Sequence, residues 1–246
     1  MRNNRPQAPI NWQHLFSPRS VAVIGASNTR GSWGYSITHG LLALGGRRVY
    51  PVNPKAPEVI GVKTFPSVLN IPDPIDFAVI VVAPQLVPSV LRECVSKAID
   101  TAIIITAGFA ELGGQGRKLE DELVQIASEG GIHFIGPNSM GHADTRTKLS
   151  TFGQVGNMTP GPVALISQSG SMTLSTVFSA TDAGMSFSEY ISSGNEASLH
   201  LEDYLEYLVA DRETKIIAAY IEGLREGRRF FRLAKEATLR KPIVVI

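Results

Sequence analysis

Short β-branched runs alternate with segments of helical period along almost the whole chain, and this alternation is what most restricts the fold. The apolar runs fall at 21–24, 48–52, 77–82, 102–106 and 133–135. Helix-spaced segments lie between them at 37–44, 88–99 and 118–128. Strands that are apolar at nearly every position must be covered on both faces, and strand–helix alternation supplies the cover, so the pattern specifies a parallel sheet between helix layers. From 143 to 162 the period fades into Asp, Thr, Lys, Ser, Gly, Asn and Pro, which reads as a connection. Strand runs resume at 163–167, 187–192, 215–221 and 243–246, with helices at 172–183, 199–209 and 228–239. The expected organisation is α/β throughout: an arm at 1–15, a first unit at 16–145, a linker at 146–160 and a second unit at 161–246. The second unit stops on a strand, where ligand loops normally begin, so the sequence reads as a piece of a longer chain.

Composition narrows the classes of function. A formal net charge of +1 over 246 residues argues against a nucleic-acid binder, which carries a basic excess. The longest apolar run, at 78–83, is far below the ~20 residues of a membrane helix. The first twelve residues lack the apolar core of a secretory signal. A cytoplasmic protein is the expectation. Cys94 is the single cysteine and sits at helical spacing with Val87, Val90 and Leu91, as a buried small hydrophobe would.

The loops after the strands carry the candidate chemistry. Gly25, Ala26 and Ser27 form a turn between the first strand and a helix, suited to a phosphate on free backbone N–H groups. The spacing is not G-x-G-x-x-G, because Ser27 stands at the second glycine, so a standard dinucleotide site is weakly supported. After the second strand come Asn53 and Lys55 in place of the carboxylate that NAD sites use for ribose. Lys55 suits an extra ribose phosphate, as in NADP or coenzyme A, and equally suits a solvated surface position. In the second unit Ser167, Ser169, Gly170 and Ser171 cluster at a strand-to-helix turn, either as a phosphate cradle or as simple helix caps. Ser192, Ser193, Gly194 and Asn195 form another strand-end loop, expected to wall the same pocket. An NADP reductase finds no Tyr-x-x-x-Lys arrangement: Tyr190, Tyr204, Tyr207 and Tyr220 are followed four positions on by Gly194, Leu208, Asp211 and Leu224.

An ordered set of motifs resembles one family. The set comprises SVAVIGAS (20–27), VYPVNPK (49–55), GVKTFPSV and IPDPIDFAVIVV (within 61–82), IITAGFAE (104–111) and FIGPNSMG (134–141). It continues with GPVALISQSGS (161–171), SSGNEA (192–197) and AAYIEGLREG (218–227). From about residue 12 the chain resembles the alpha part of ADP-forming acyl-CoA synthetases, relatives of the succinyl-CoA synthetase alpha subunit. The resemblance implies a Rossmann-like CoA-binding domain followed by a flavodoxin-like ligase domain that is incomplete here. It implies CoA phosphates at Gly25, Ala26 and Ser27, with Asn53 and Lys55 nearby. Val82, Ala83 and Pro84 would border the adenine or pantetheine. Thr106, Ala107, Gly108 and Phe109 would follow the pantetheine, and Gly136, Pro137 and Asn138 the thiol end. Ser139 stands where the family commonly has cysteine.

The implied reaction joins an acid and CoA at the expense of ATP, giving acyl-CoA, ADP and phosphate through an acyl phosphate and a phosphohistidine. Glu222, in its Tyr-Ile-Glu-Gly context, would hold and activate that histidine, since a carboxylate fixes an imidazole's tautomer. None of His14, His39, His133, His142 and His200 fits the family's Ser-His-Thr-Gly loop, so each takes a structural reading. ATP, ADP and Mg would be bound by an ATP-grasp beta part outside this chain, fused or separate. The chain by itself is expected to be inactive, with CoA and a carboxylic acid as ligands and no nucleic acid or membrane as partner. The alternative is a non-catalytic CoA- or acyl-CoA-sensing module, such as the ligase-like part of a protein acetyltransferase.

Overall fold

The computed structural model describes residues 8–153 and 158–246. Residues 1–7 of the expected arm and 154–157 of the expected linker lie outside the described residues. After a short helix, α1 (Trp12–Phe16), the chain runs β1 (Ser20–Ile24), α2 (Trp33–Leu44) and β2 (Arg48–Val52). A small hairpin, β3 (Glu58–Val59) and β4 (Val62–Lys63), precedes β5 (Phe77–Ile80), α3 (Val87–Ser96), β6 (Thr101–Ile104), α4 (Gly114–Gly130) and β7 (His133–Ile135). The first sheet has the order β2-β1-β5-β6-β7 and is parallel throughout. The chain builds β2 on one side of β1 and β5 on the other, so the crevice between the β1 and β5 ends is a topological switch point.

The second sheet contains β8 (Gly141–Asp144), β9 (Leu149–Ser150), β10 (Val163–Ser167), β11 (Phe187–Ser192), β12 (Ile216–Tyr220) and β13 (Ile243–Val245). Its helices are α5 (Gly170–Asp182), α6 (Leu201–Ala210) and α7 (Gly227–Ala237). The order is β13-β12-β10-β11-β8-β9, with β10 to β13 parallel and β8 antiparallel to β11. Here the switch point is β10, flanked by β11 and β12.

Boundaries depart from the sequence reading where local signals were weak. The third strand stops at Ile80, because 81–84 leave the sheet into the loop that Pro84 closes. Helix α4 begins at Gly114, before any apolar period, and ends where Gly131 turns left-handed at φ 71°. The stretch read as a connection holds β9 and the end of β8; both extend the second sheet, although β8 falls within the 16–145 expected for the first unit. β8 reads Gly-His-Ala-Asp, a polar sequence for a buried strand. It is buried because its polar groups are paired: His142 Nε2 lies 2.7 Å from the Leu15 carbonyl, and Asp144 binds Arg146 at 3.0 Å.

One core cluster runs through both units, joining Val21, Val79 and Ile103 to Ile166, Ile191 and Tyr204. Helix α1 stitches the seam: Trp12 and Phe16 both stack on Tyr207 of α6, with ring centroids 4.6 and 4.9 Å apart. Each such ring pair contributes roughly 0.5–1.5 kcal/mol beyond burial. Part of the segment expected to be an arm is therefore core. The seam holds the strand-end loops of the two sheets against each other.

Candidate functional site: a cleft joining two switch points

The first wall is set by glycines that admit no side chain. Gly25 has φ 98°, and a Cβ there would sit 2.6 Å from the Val81 carbonyl oxygen. A Cβ on Gly34 would meet the Gly25 oxygen at 2.0 Å, so α2 starts directly against the loop. Asn53 works from the side: its amide donates to the Ala26 carbonyl (2.7 Å), and its Oδ1 accepts from the Lys55 N–H (2.8 Å) and Ala56 N–H (3.2 Å). Asn53 is thus a clamp on the glycine loop, its carboxamide bonded in both directions. Thr106 ties the β6 loop to the β5 loop by donating to the Val82 carbonyl (2.7 Å).

The second wall comes from β10 and β12. Ser169 caps α5, its Oγ accepting from the Met172 N–H (3.4 Å) and lying 3.3 Å from Ser171 Oγ. Ser167 is buried and donates to the Ser169 carbonyl (2.7 Å), shaping the turn from below. Gln168 grips the loop after β12. Its carbonyl accepts from the Glu222 N–H (2.6 Å) and Gly223 N–H (2.9 Å), and its amide donates to the Gly223 carbonyl (2.7 Å).

These walls enclose a cavity of about 810 Å³. Of the residues selected from sequence, Gly25, Ser27, Val82, Ala83, Pro84, Thr106, Ala107, Asn138, Ser169, Gly170, Ser171 and Glu222 line it. An adjoining cavity of about 530 Å³ shares Asn138, Gln168 and Glu222, so Glu222 stands between the two. Gly194 and Asn195 face this smaller cavity and not the larger one, contrary to the expectation of a single pocket. Ser193 is buried and donates to Glu196 Oε1 (2.7 Å).

The other selected residues lie behind the walls. Phe109 is fully buried in the first unit's core, and the Gly108 and Phe109 N–H groups donate to Glu111 (2.5 and 3.1 Å). Gly136 and Pro137 form the seam, their carbonyls accepting from the Ala197 N–H (3.0 Å) and Asn195 N–H (2.9 Å). Lys55 is exposed and outside the cavity lining.

Three supports escaped the sequence reading: Gln168, Glu196 and Glu111. Gln168 sits inside the Ser-Gln-Ser-Gly turn, where an amide flanked by caps is itself a signal for backbone clamping. Glu196 is buried with φ 54°. Burial pushes its carboxyl up to about 7 against the pull of Ser193 and Gln168. Glu111 goes the other way: burial raises it, but hydrogen bonds from Asn195, Gly108 and Phe109 hold it below the usual range.

No histidine lines either cavity. His142 is wholly buried, and burial lowers it to about 4. His14 pairs with Asp100 (2.7 Å), and His39 stacks on Tyr35 (5.8 Å). His133 contacts the Ala8 carbonyl (2.8 Å). His200 is the N-cap of α6 and not a helical residue, 3.4 Å from Glu226. Cys94 is buried, and burial pushes its thiol up to about 12, which suits core packing. Among the described residues no cluster of His, Cys, Asp and Glu fits a metal ion, and no helix is long and apolar enough to cross a membrane.

One parallel and one mixed sheet, whose switch points open into one cleft, define a class: a two-unit α/β protein with its cavity at the carboxyl ends of parallel strands. Residues 19–144 match the CoA binding domain family and residues 160–246 the succinyl-CoA ligase like flavodoxin domain family. The chain belongs to this CoA-binding, succinyl-CoA ligase-like family.

It is 44% identical over 234 residues to the acetate–CoA ligase (ADP-forming) II alpha subunit of Pyrococcus furiosus, covering 95% of this chain and 51% of the relative. A crystal structure of a Pyrococcus horikoshii OT3 protein superposes with TM-score 0.91 at 41% identity, covering 95% of this chain and 54% of that one. The dinucleotide-forming acetyl-coenzyme A synthetase 1 of Ca. Korarchaeum cryptofilum, in complex with phosphate and ADP, gives TM-score 0.91 at 36% identity. That match covers 96% of this chain and 51% of the synthetase. The chain spans about half the length of each of these relatives. Those with a named activity are a ligase and a synthetase, so the sensing-module alternative gains no support from them.

Proposed function

We propose that this chain is the CoA-binding and acyl-transfer part of an ADP-forming acyl-CoA ligase. The supporting observation is the continuity of one cavity from Gly25 and Val82 of the first unit to Ser169, Ser171 and Glu222 of the second. CoA lies along the first sheet's loops, its phosphates at the Gly25–Ser27 turn and its thiol end toward Asn138. Phosphate lies on the α5 N-terminus, where Ser169, Gly170 and Ser171 present hydroxyl and N–H groups in line with the helix dipole.

In the direction of acyl-CoA breakdown, a phosphate oxygen attacks the thioester carbon. The C–O bond forms, the C–S bond breaks, and the departing thiolate of CoA takes a proton. The acyl phosphate then gives its phosphoryl group to a histidine supplied from outside this chain: a P–N bond forms, the P–O bond to the acyl oxygen breaks, and the carboxylate leaves. Glu222, aimed into the cleft by Gln168, accepts that imidazole's N–H and stabilises its charged form. Phosphoryl transfer is mostly positioning and charge stabilisation, so rigid loops are the main requirement. ATP or ADP, with Mg, binds to an ATP-grasp partner, fused or separate, and the assembly works in the cytoplasm.

Calorimetry tests the reading. CoA should bind, and Gly25→Ala should weaken binding at least tenfold, because the new Cβ displaces the Val81 carbonyl beside the ligand. Binding of NADP in preference to CoA, or no CoA binding at millimolar ligand, would overturn it.

A further inference from the structure

The acyl group occupies the one part of the cleft bounded by both chemical ends. Its carbonyl carbon must reach the CoA thiol near Asn138 and the phosphate near Ser169–Ser171. Met140 lies at that junction. Its side chain rests on the first residue of α5, so closely that a Cβ on Gly170 would fall 2.0 Å from Met140 Cγ. The backbone around it is fixed: the Met140 N–H donates to Ser192 Oγ (3.1 Å), and Ser139 Oγ donates to the Ser192 carbonyl (2.6 Å). Trp33 supplies a second apolar surface in the same cavity, its ring 3.2 Å from where a Gly153 Cβ would be. Among the described residues lining the cavity Glu222 is the only charged one, so none of them would neutralise a second carboxylate on the acyl tail.

We propose that Met140 is the end wall of the acyl pocket and sets the largest uncharged tail the protein accepts. The proposal rests on the ligase reading above. Met140 is unbranched and partly buried, packed at the edge of the Phe152–Tyr190 cluster. Truncating it opens space along the pocket and removes its packing on Gly170, while the Met140 N–H to Ser192 bond and the Ser169 cap of α5 do not involve the side chain and stay in place. A methylene in an apolar pocket changes discrimination roughly 10- to 200-fold, and Met140→Ala removes the whole chain beyond Cβ.

The test uses the complete ligase and compares kcat/KM for phenylacetate and acetate in the wild type, Met140→Ala and Met140→Leu. Met140→Ala should raise the phenylacetate-to-acetate ratio at least tenfold with the KM for CoA within twofold. Met140→Leu, which keeps the volume, should leave the ratio within twofold. An unchanged ratio in Met140→Ala would remove Met140 as the wall. If the wild type turns over no acid, calorimetric affinities for phenylacetyl-CoA and acetyl-CoA decide the matter: the same tenfold rise supports the wall, and an equal ratio overturns it. A wild type that binds neither CoA nor its thioesters fails the ligase reading itself, and the pocket with it.

Discussion

Protonating His142 should loosen the seam between the two units. Its ring lies edge-on to Phe16 (5.5 Å) and Phe77 (5.2 Å), with Nε2 against the Leu15 carbonyl and Nδ1 3.0 Å from Thr151 Oγ1. A carbonyl only accepts, so Nε2 carries a proton, and burial keeps the ring neutral in the native state. Burial lowers the group from 6.5 to about 4. The unfolded chain therefore binds a proton that the native state refuses between those values. The stability His142 contributes is complete above about pH 6.5 and is lost as pH falls toward 4. At ~1.4 kcal/mol per pH unit across that interval, the loss is about 3 kcal/mol. Glu189 and Glu196 titrate with the opposite sign. Burial raises them to about 8 and about 7, so their contribution is complete at low pH and falls as pH rises through those values. The wild-type profile mixes these effects, and the difference between wild type and His142→Gln isolates the histidine. The assay is urea unfolding followed by the fluorescence of Trp12 and Trp33 at several pH values between 4 and 8. The substitution should cost about 3 kcal/mol less at pH 4 than at pH 7.5. A cost that does not change with pH would refute the argument that His142 is held neutral by burial.

Arg146 binds Asp144, Glu189 and Asp211 at once; burial, and after it the neighbouring Asp144 carboxylate, raise the Glu189 carboxyl against the pull of Arg146, so Glu189 keeps its proton to higher pH. Arg146→Leu should cost about 3–5 kcal/mol at pH 7 by leaving that cluster unpaired, whereas Glu189→Gln should be nearly neutral at pH 6; equal costs in urea melts would argue against a protonated Glu189. Gly194→Ala should destabilise more than Gly184→Ala. Both glycines have positive φ, but a Cβ at 194 meets the Pro137 carbonyl oxygen at 2.3 Å while 184 faces open space. Position 184 should lose only the backbone term of ~1–2 kcal/mol, and matching midpoints for the two variants would contradict the seam contact.

The fold was legible because burial on both faces forces apolar strands. β5 and β6 are wholly buried, and their sequences, Phe-Ala-Val-Ile and Thr-Ala-Ile-Ile, carry that fact openly. β8 hid because its burial depends on partners distant in sequence. His142 is acceptable inside the protein because Nε2 meets the Leu15 carbonyl, 127 residues away, and Nδ1 meets Thr151 Oγ1, and no local pattern announces the Leu15 pairing. The same reasoning divides the site. Gly25 and Ser169 announce themselves, since a strand-end glycine and a serine before a helix each have a local cause. Asn53 stands beside the glycine turn, and its carboxamide bonds the Ala26 carbonyl and the Lys55 and Ala56 N–H groups, a pairing the sequence does not announce.

The residues that sequence reading misplaced or missed are mostly clamps, and their kind has a physical reason. Loops facing a ligand cannot bond to each other across the space the ligand needs, so they must be held from behind. Amides suit this task because one group donates and accepts at once. Asn53 does so for the glycine turn, and Gln168 for the turn bearing Glu222. Asn195 has the same role at the seam, where its amide donates to Glu111 (2.6 Å) and Glu120 (2.8 Å). An uncharged clamp also leaves the cavity's potential to the ligand and to Glu222. In a sequence of this architecture, an amide beside a strand-end glycine or serine is therefore better read as the support of an anion loop than as its ligand.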